Sequence, residues 1–359
     1  MDATAPILFT ELSGTGGKLG LITLNRPQAL NALTHEMIVL MHQQLIIWED
    51  DPHLKAVIVC AVEGRAFCAG GDLRLVHEKN RIRDLTLTHF FRDEYRLNRY
   101  IFHYPKPYIA LLDGITMGGG AGISIHGSHR VGTERIVFAM PETGIGFFPD
   151  VGGTYFLSRL PHGLGFYLGL TGARLNCDDC LHVQLVDYKI RSTNLPLVVR
   201  ALTETPLTEK PDEAVGHVLH QFHEAAEETI LPAHYPFIEK YFVQHTIEAI
   251  LAMLEKAPGI WYQETLNTLR KKSPTSLKIT LRQLHEGLKR DFDQCMQLEY
   301  HLMGHFLQSH DFYEGIRAVL IDKTQDPHWQ PTELSQVSEE TVETFFTPLP
   351  GEPAQLLFS

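Results

Sequence analysis

The sequence predicts an α/β core, its strands joined by helical crossovers, followed by a helical region from about residue 197. Three observations lead there. Continuous apolar runs of strand length alternate with helical stretches through the first half, the pattern of strands buried on both faces. Two glycine-rich segments each follow one of those runs. Beyond residue 197 the strand signals stop and helical periodicity takes over.

In chain order, KLGLITL (18–24) reads as a strand and THEMIVLMHQQLIIWED (34–50) as an amphipathic helix with Thr34 as its N-cap. LKAVIVCA (54–61) and PYIALLD (107–113) are buried strands, separated by a helical stretch, DLTLTHFFRDEYRLNRYIF (84–102). AGISIH (121–126) reads as a helix opened by glycines. Four helical segments follow: DEAVGHVLHQFHEAAEE (212–228), IEAILAMLEKA (247–257), PTSLKITLRQLHEGLKR (274–290) and QCMQLEYHLMGHFLQ (294–308). Proline and glycine separate them. No repeat or low-complexity segment interrupts the pattern. The expected division is a core over 1–196 and a helical region over 197–359 that packs on it.

Composition narrows the function classes. A formal net charge of −12 argues against nucleic-acid and anionic-membrane partners, which need basic surfaces. The start, MDATAPILFTELSG, lacks a secretory n-region and h-region, and AQLLFS at the other end matches no retention, peroxisomal or prenylation signal. No apolar run reaches the ~20 residues of a membrane span. Five cysteines, an odd number, fit a reducing compartment. The expectation is a soluble cytoplasmic protein. Cys177 and Cys180 form a lone C-x-x-C without the further ligands that zinc requires, and His126 and His129 read as helix-end packing. Gly14, Gly16 and Gly17 lack phosphate-loop spacing, and no serine nucleophile elbow exists. No metal is expected.

The chemistry concentrates in three places. GRAFCAGGD (64–72) and MGGGAGISIHG (117–127) follow buried strands, and glycines there let backbone N–H groups approach a ligand closely. Two such turns brought together would aim two amides at one oxygen, an oxyanion hole; the alternative is a pair of tight turns needed for packing. MPETGIGFFPDVGG (140–153) then places Glu142 and Asp150 in an apolar, Pro/Gly-rich stretch without a cation. Either both lie on a solvated loop, or both are buried and must shift their pKa or accept hydrogen bonds.

NRPQALNAL (25–33), GRAFCAGGDLR (64–74), GITMGGGAGISIHG (114–127) and FAMPETGIGFFPDVGGTYFLSRL (138–160) resemble the crotonase, or enoyl-CoA hydratase/isomerase, superfamily. SPTSLKITLRQLHEG (273–287) and HDFYEGIRAVLIDKTQDPHW (310–329) are similar to its thioester-hydrolase branch, so the resemblance covers nearly the whole chain. It implies a spiral of β-β-α turns with a helical C-terminal region. It also implies oxyanion-hole amides at Gly71 and Gly119, catalytic acids at Glu142 and Asp150, and a substrate-binding role for Glu94, Gly119, Glu142 and Asp150. The alternative for Glu94 is a place on a solvated helix face. Where the hydratases carry their first catalytic glutamate this chain has Gly122, and where they carry glycine it has Asp150. That exchange disfavours hydration.

The implied activity is hydrolysis of a short 3-hydroxyacyl-CoA, most specifically 3-hydroxyisobutyryl-CoA of valine breakdown. A hydratase/isomerase and a non-catalytic acyl-CoA-binding protein are the alternatives. Coenzyme A would be part of the substrate and no separate cofactor is implied. Arg26 is the residue the resemblance brings to the CoA moiety, and a homo-oligomer is possible in this superfamily.

Overall fold

The computed structural model describes residues 4–81, 87–207, 209–349 and 356. Residues 84–86 of the predicted helical stretch, the first three residues, and all of AQLLFS except Leu356 lie outside the described residues. The chain forms two compact units. The first comprises 1–71, 97–138 and 175–229; the second comprises 72–96, 139–174 and 230–359.

The described residues form nine strands: β1 (Ile7–Gly14), β2 (Gly17–Leu24), β3 (Leu54–Ala61), β4 (Ala66–Cys68), β5 (Tyr108–Leu112), β6 (Ile115–Met117), β7 (His129–Gly132), β8 (Val137–Ala139) and β9 (Tyr188–Lys189). A six-stranded sheet runs β1-β2-β3-β5-β7-β9 and a three-stranded sheet runs β4-β6-β8. From β3 onward, consecutive strands alternate between the two sheets. Each turn of chain therefore adds one strand to each sheet, which makes a spiral instead of one open sheet. The β2–β3, β3–β5, β5–β7 and β7–β9 pairs are all parallel.

Local sequence explains these elements. Val57, Ile58 and Val59 are completely buried, which is why their strand reads as an unbroken apolar run. Ile58, Ile109, Leu111 and Val131 pack with Val198 and Leu202 of the helix Leu195–Glu204 in one core cluster. Each such side chain contributes about 1.5–3 kcal/mol on burial. The helix His35–Asp50 starts where Thr34 accepts a hydrogen bond from the Met37 amide at 3.3 Å.

Strand β1 was not anticipated. It pairs antiparallel with β2 through the turn at Thr15–Gly16, so GTGG is a hairpin turn. The glycine-opened helix spans only Gly119–Gly122 and passes into turns, with Ser124 Oγ donating to the Gly120 carbonyl at 2.6 Å. The predicted 212–228 helix is observed as Pro211–Phe222. Tertiary partners end it: His223 Nδ1 accepts from the Lys189 amide, the Glu224 amide donates to the Lys189 carbonyl, and the Glu227 amide donates to Asp178. Among the described residues after β9 every regular element is helical.

Candidate active site

In the first unit the two glycine turns meet. The Leu33 amide donates to the Gly70 carbonyl at 2.9 Å, tying the first turn to the segment before the helix His35–Asp50. Gly70 has φ +113°, and a Cβ there would lie 3.8 Å from the Gly119 nitrogen. A Cβ on Gly120 would lie only 2.2 Å from the Cys68 carbonyl oxygen, so this approach of the turns requires glycine. Among the described residues, neither the Gly71 nor the Gly119 N–H donates to a backbone acceptor. Gly119 opens a helical turn, where the first amides have no intrahelical partner. Gly122 lies buried at the end of that turn.

The second unit holds the acids. Glu142 begins the 3-10 turn Glu142–Ile145, and its carbonyl accepts from Phe147 at 3.0 Å. The turn is closed by Gly146, φ +68°, where a Cβ would lie 2.2 Å from the Asp311 carbonyl oxygen. Glu142, Asp150 and Glu94 are only 6%, 5% and 2% exposed, so neither the solvated-loop nor the solvated-helix alternative describes them. Burial first, then the charge of Asp150, pushes Glu142 well above the ordinary carboxylate range; Lys272 opposes that rise. Glu94 is pushed up by burial, then by Asp150 and Glu142. Burial raises Asp150 to about 7, although Tyr95 donates to its Oδ2 at 2.9 Å. Lys272 is itself lowered to about 8 by burial, partly offset by Glu142.

Among the described residues, Glu94 Oε1 and Glu142 Oε2 are buried without a hydrogen-bond partner. An orphaned buried oxygen costs about 1–3 kcal/mol, a cost expected where a ligand completes the bonding. Three buried carboxyls, of which Asp150 raises the pKa of the other two, can hold a proton or accept one from a substrate.

The sequence did not single out the residues that support Asp150. Glu299, fully buried, accepts from the Gly152 and Thr154 amides at 2.8 and 2.9 Å. Gln283 donates to the Pro149 carbonyl at 2.6 Å and to Thr154 Oγ1 at 2.7 Å. No sequence signal near Asp150 marks them.

The remaining candidates behave differently. Arg26 donates to the Ala32 carbonyl of its own loop. Cys177 and Cys180 are buried thiols in a helix capped by Asn176, with Cys177 pushed up to about 12 by burial. His129 stands in β7 with Nε2 against the Asp212 carbonyl, so strand placement replaces the predicted helix end. His126 lies beside the Phe102 ring.

A family profile described as enoyl-CoA hydratase/isomerase matches residues 19–346. The chain is 45% identical over 345 residues to a Xenopus tropicalis protein named 3-hydroxyisobutyryl-CoA hydrolase, mitochondrial, covering 95% of this chain and 89% of that one. Its Homo sapiens counterpart of the same name is 43% identical over 97% of this chain and 90% of its own. A solved structure titled carnitinyl-CoA dehydratase from Mycobacterium thermoresistibile superposes with a TM-score of 0.89 at 34% identity, covering 98% of each chain. These names overturn the cytoplasmic expectation, since both relatives are called mitochondrial. That expectation had excluded only secretory and membrane features, and a soluble protein of a reducing compartment fits other locations equally.

Proposed function

The chain belongs to the enoyl-CoA hydratase/isomerase family, and from that premise we propose that it hydrolyses 3-hydroxyisobutyryl-CoA to 3-hydroxyisobutyrate and coenzyme A. The observation that carries this reading is the buried acid group of the second unit, with its unpaired oxygens on Glu94 and Glu142. The 45% identity to a hydrolase, against 34% to a dehydratase, supports the same choice. So does Gly122, which puts no acid where the family's hydratases carry one.

In this reading the Gly71 and Gly119 amides bind the thioester oxygen and take up the negative charge that develops on it. Each such donor is worth about 2.7–4 kcal/mol at a transition state. Glu142 acts at the carbonyl carbon in one of two ways. It attacks to give a mixed anhydride, expelling the CoA thiolate before water cleaves the anhydride, or it takes a proton from an attacking water. Lys272 favours the Glu142 anion that either route needs. Asp150 and Glu94 receive the water or the 3-hydroxyl, and Arg26 lies along the CoA moiety. Residues 1–196 carry Gly71, Gly119, Glu94, Glu142 and Asp150, and the helical region over 197–359 adds Lys272. No separate cofactor takes part. The location we infer is mitochondrial, and a homo-oligomer is in keeping with the family.

A panel of short acyl-CoAs tests the reading. Free thiol from 3-hydroxyisobutyryl-CoA is the expected outcome. Loss of enoyl absorbance from crotonyl-CoA without thiol release would mark a hydratase, and tight binding without either would mark a binding protein.

A further inference from the structure

The turn carrying Asp150 is strained and is held from far away in the sequence. Val151, a β-branched residue, has φ +52°, and Gly152 follows with φ +88°. A left-handed β-branched residue costs on the order of 1–3 kcal/mol and persists only where its surroundings over-determine it. Those surroundings are identifiable. Successive backbone N–H groups in such a turn form an anion-binding concavity, and Glu299 fills it, one oxygen on the Gly152 amide and the other on Thr154. Gln283 holds the Pro149 carbonyl on the other side of Asp150, and Tyr95 holds the carboxylate itself. The Gly153 amide donates to the Asp150 carbonyl at 2.7 Å, closing the turn.

We propose that Glu299 is a positioning residue for hydrolysis: its carboxyl group, clamped on the Gly152 and Thr154 amides, fixes the left-handed turn that aims Asp150 at the substrate. This rests on the hydrolase reading above. A role confined to stability predicts something different, because Glu299 would then affect turnover whether or not Asp150 is present. Burial pushes Glu299 up to about 8, with the Asp150 charge adding to the rise.

A double-mutant cycle on kcat separates the cases. Glu299→Gln keeps the shape but turns an N–H toward one of the two amide donors. In the wild-type background it should lower kcat for 3-hydroxyisobutyryl-CoA about tenfold, the equivalent of one hydrogen bond lost. KM should change little. In the Asp150→Asn background the same substitution should cost less than about twofold, since the group it positions is already gone. Equal losses in both backgrounds would overturn the inference while leaving the hydrolase reading intact. A wild-type enzyme that releases no thiol would overturn both. Should Glu299→Gln fail to fold, Gln283→Met enters the same cycle, because it removes two anchors of the same turn; additivity there also sinks the idea.

Discussion

The glycine turns of the first unit and the acid turn of the second solve opposite problems. Around Gly70, Gly119 and Gly120 the chain removes side chains so that backbone can approach backbone, and among the described residues the Gly71 and Gly119 amides have no backbone acceptor. Around Glu142 and Asp150 it buries carboxyl side chains, and distant residues are recruited to hold the turn of Asp150. The first arrangement is specified locally, by glycine spacing. The second is specified by packing, and the difference teaches where each is vulnerable: the turns to any added atom, the acids to loss of a partner.

The sharpest break is at Glu142. Glu142→Gln keeps the size and removes the charge, so turnover should fall at least about 10²-fold while CoA binding survives. Unchanged kcat would remove Glu142 from the mechanism. On the glycine side, Gly120→Ala drives a Cβ into the Cys68 carbonyl and should cost about 1–3 kcal/mol in a denaturant titration. A neutral result would mean the turns can separate freely.

Asp150→Asn sharpens the comparison further. Its loss should be about tenfold in kcat for the 3-hydroxyacyl thioester, the equivalent of one hydrogen bond. If the hydroxyl is its partner, isobutyryl-CoA should be less affected; equal losses would make Asp150 a water-orienting acid instead.

The smallest effect concerns pH. Asp150 and Glu299 have folded-state pKa values raised to about 7 and 8 by burial, so the folded protein retains protons that the unfolded chain releases. Their contribution to stability is complete below the unfolded carboxylate range, declines as pH rises from about 4, and is gone once pH has passed the folded values of about 7 and 8. Thermal midpoints should therefore fall across that window, and less steeply in Glu299→Gln. A midpoint that rises with pH there, or an unaltered slope in Glu299→Gln, would contradict the assignment.

These contrasts explain what the sequence could reveal. β3 and β5 were readable because unbroken hydrophobicity over strand length is a local property. β1 was not, since ILFTELSG is mostly half-exposed and lacks such a run. The helix ending at Phe222 could not be bounded by periodicity, because its end depends on Lys189 and Asp178. The acids could be noticed for their apolar setting, but their supports could not. Tyr95 is 55 residues from Asp150, and Glu299 is 147 from Gly152, on a helix whose pattern signals only burial. Local chemistry is legible; the partners that tune it are a property of the fold.

With Gly122 and Asp150 exchanged relative to the hydratases, this family member cleaves a thioester in preference to hydrating a double bond. The most direct test is to follow thiol release from 3-hydroxyisobutyryl-CoA and enoyl absorbance of crotonyl-CoA with the same purified enzyme. kcat/KM for thiol release should exceed that for hydration at least about 10²-fold, the factor a missing acid–base group removes. Hydration as fast as thiol release, with Gly122 in place, would contradict that preference.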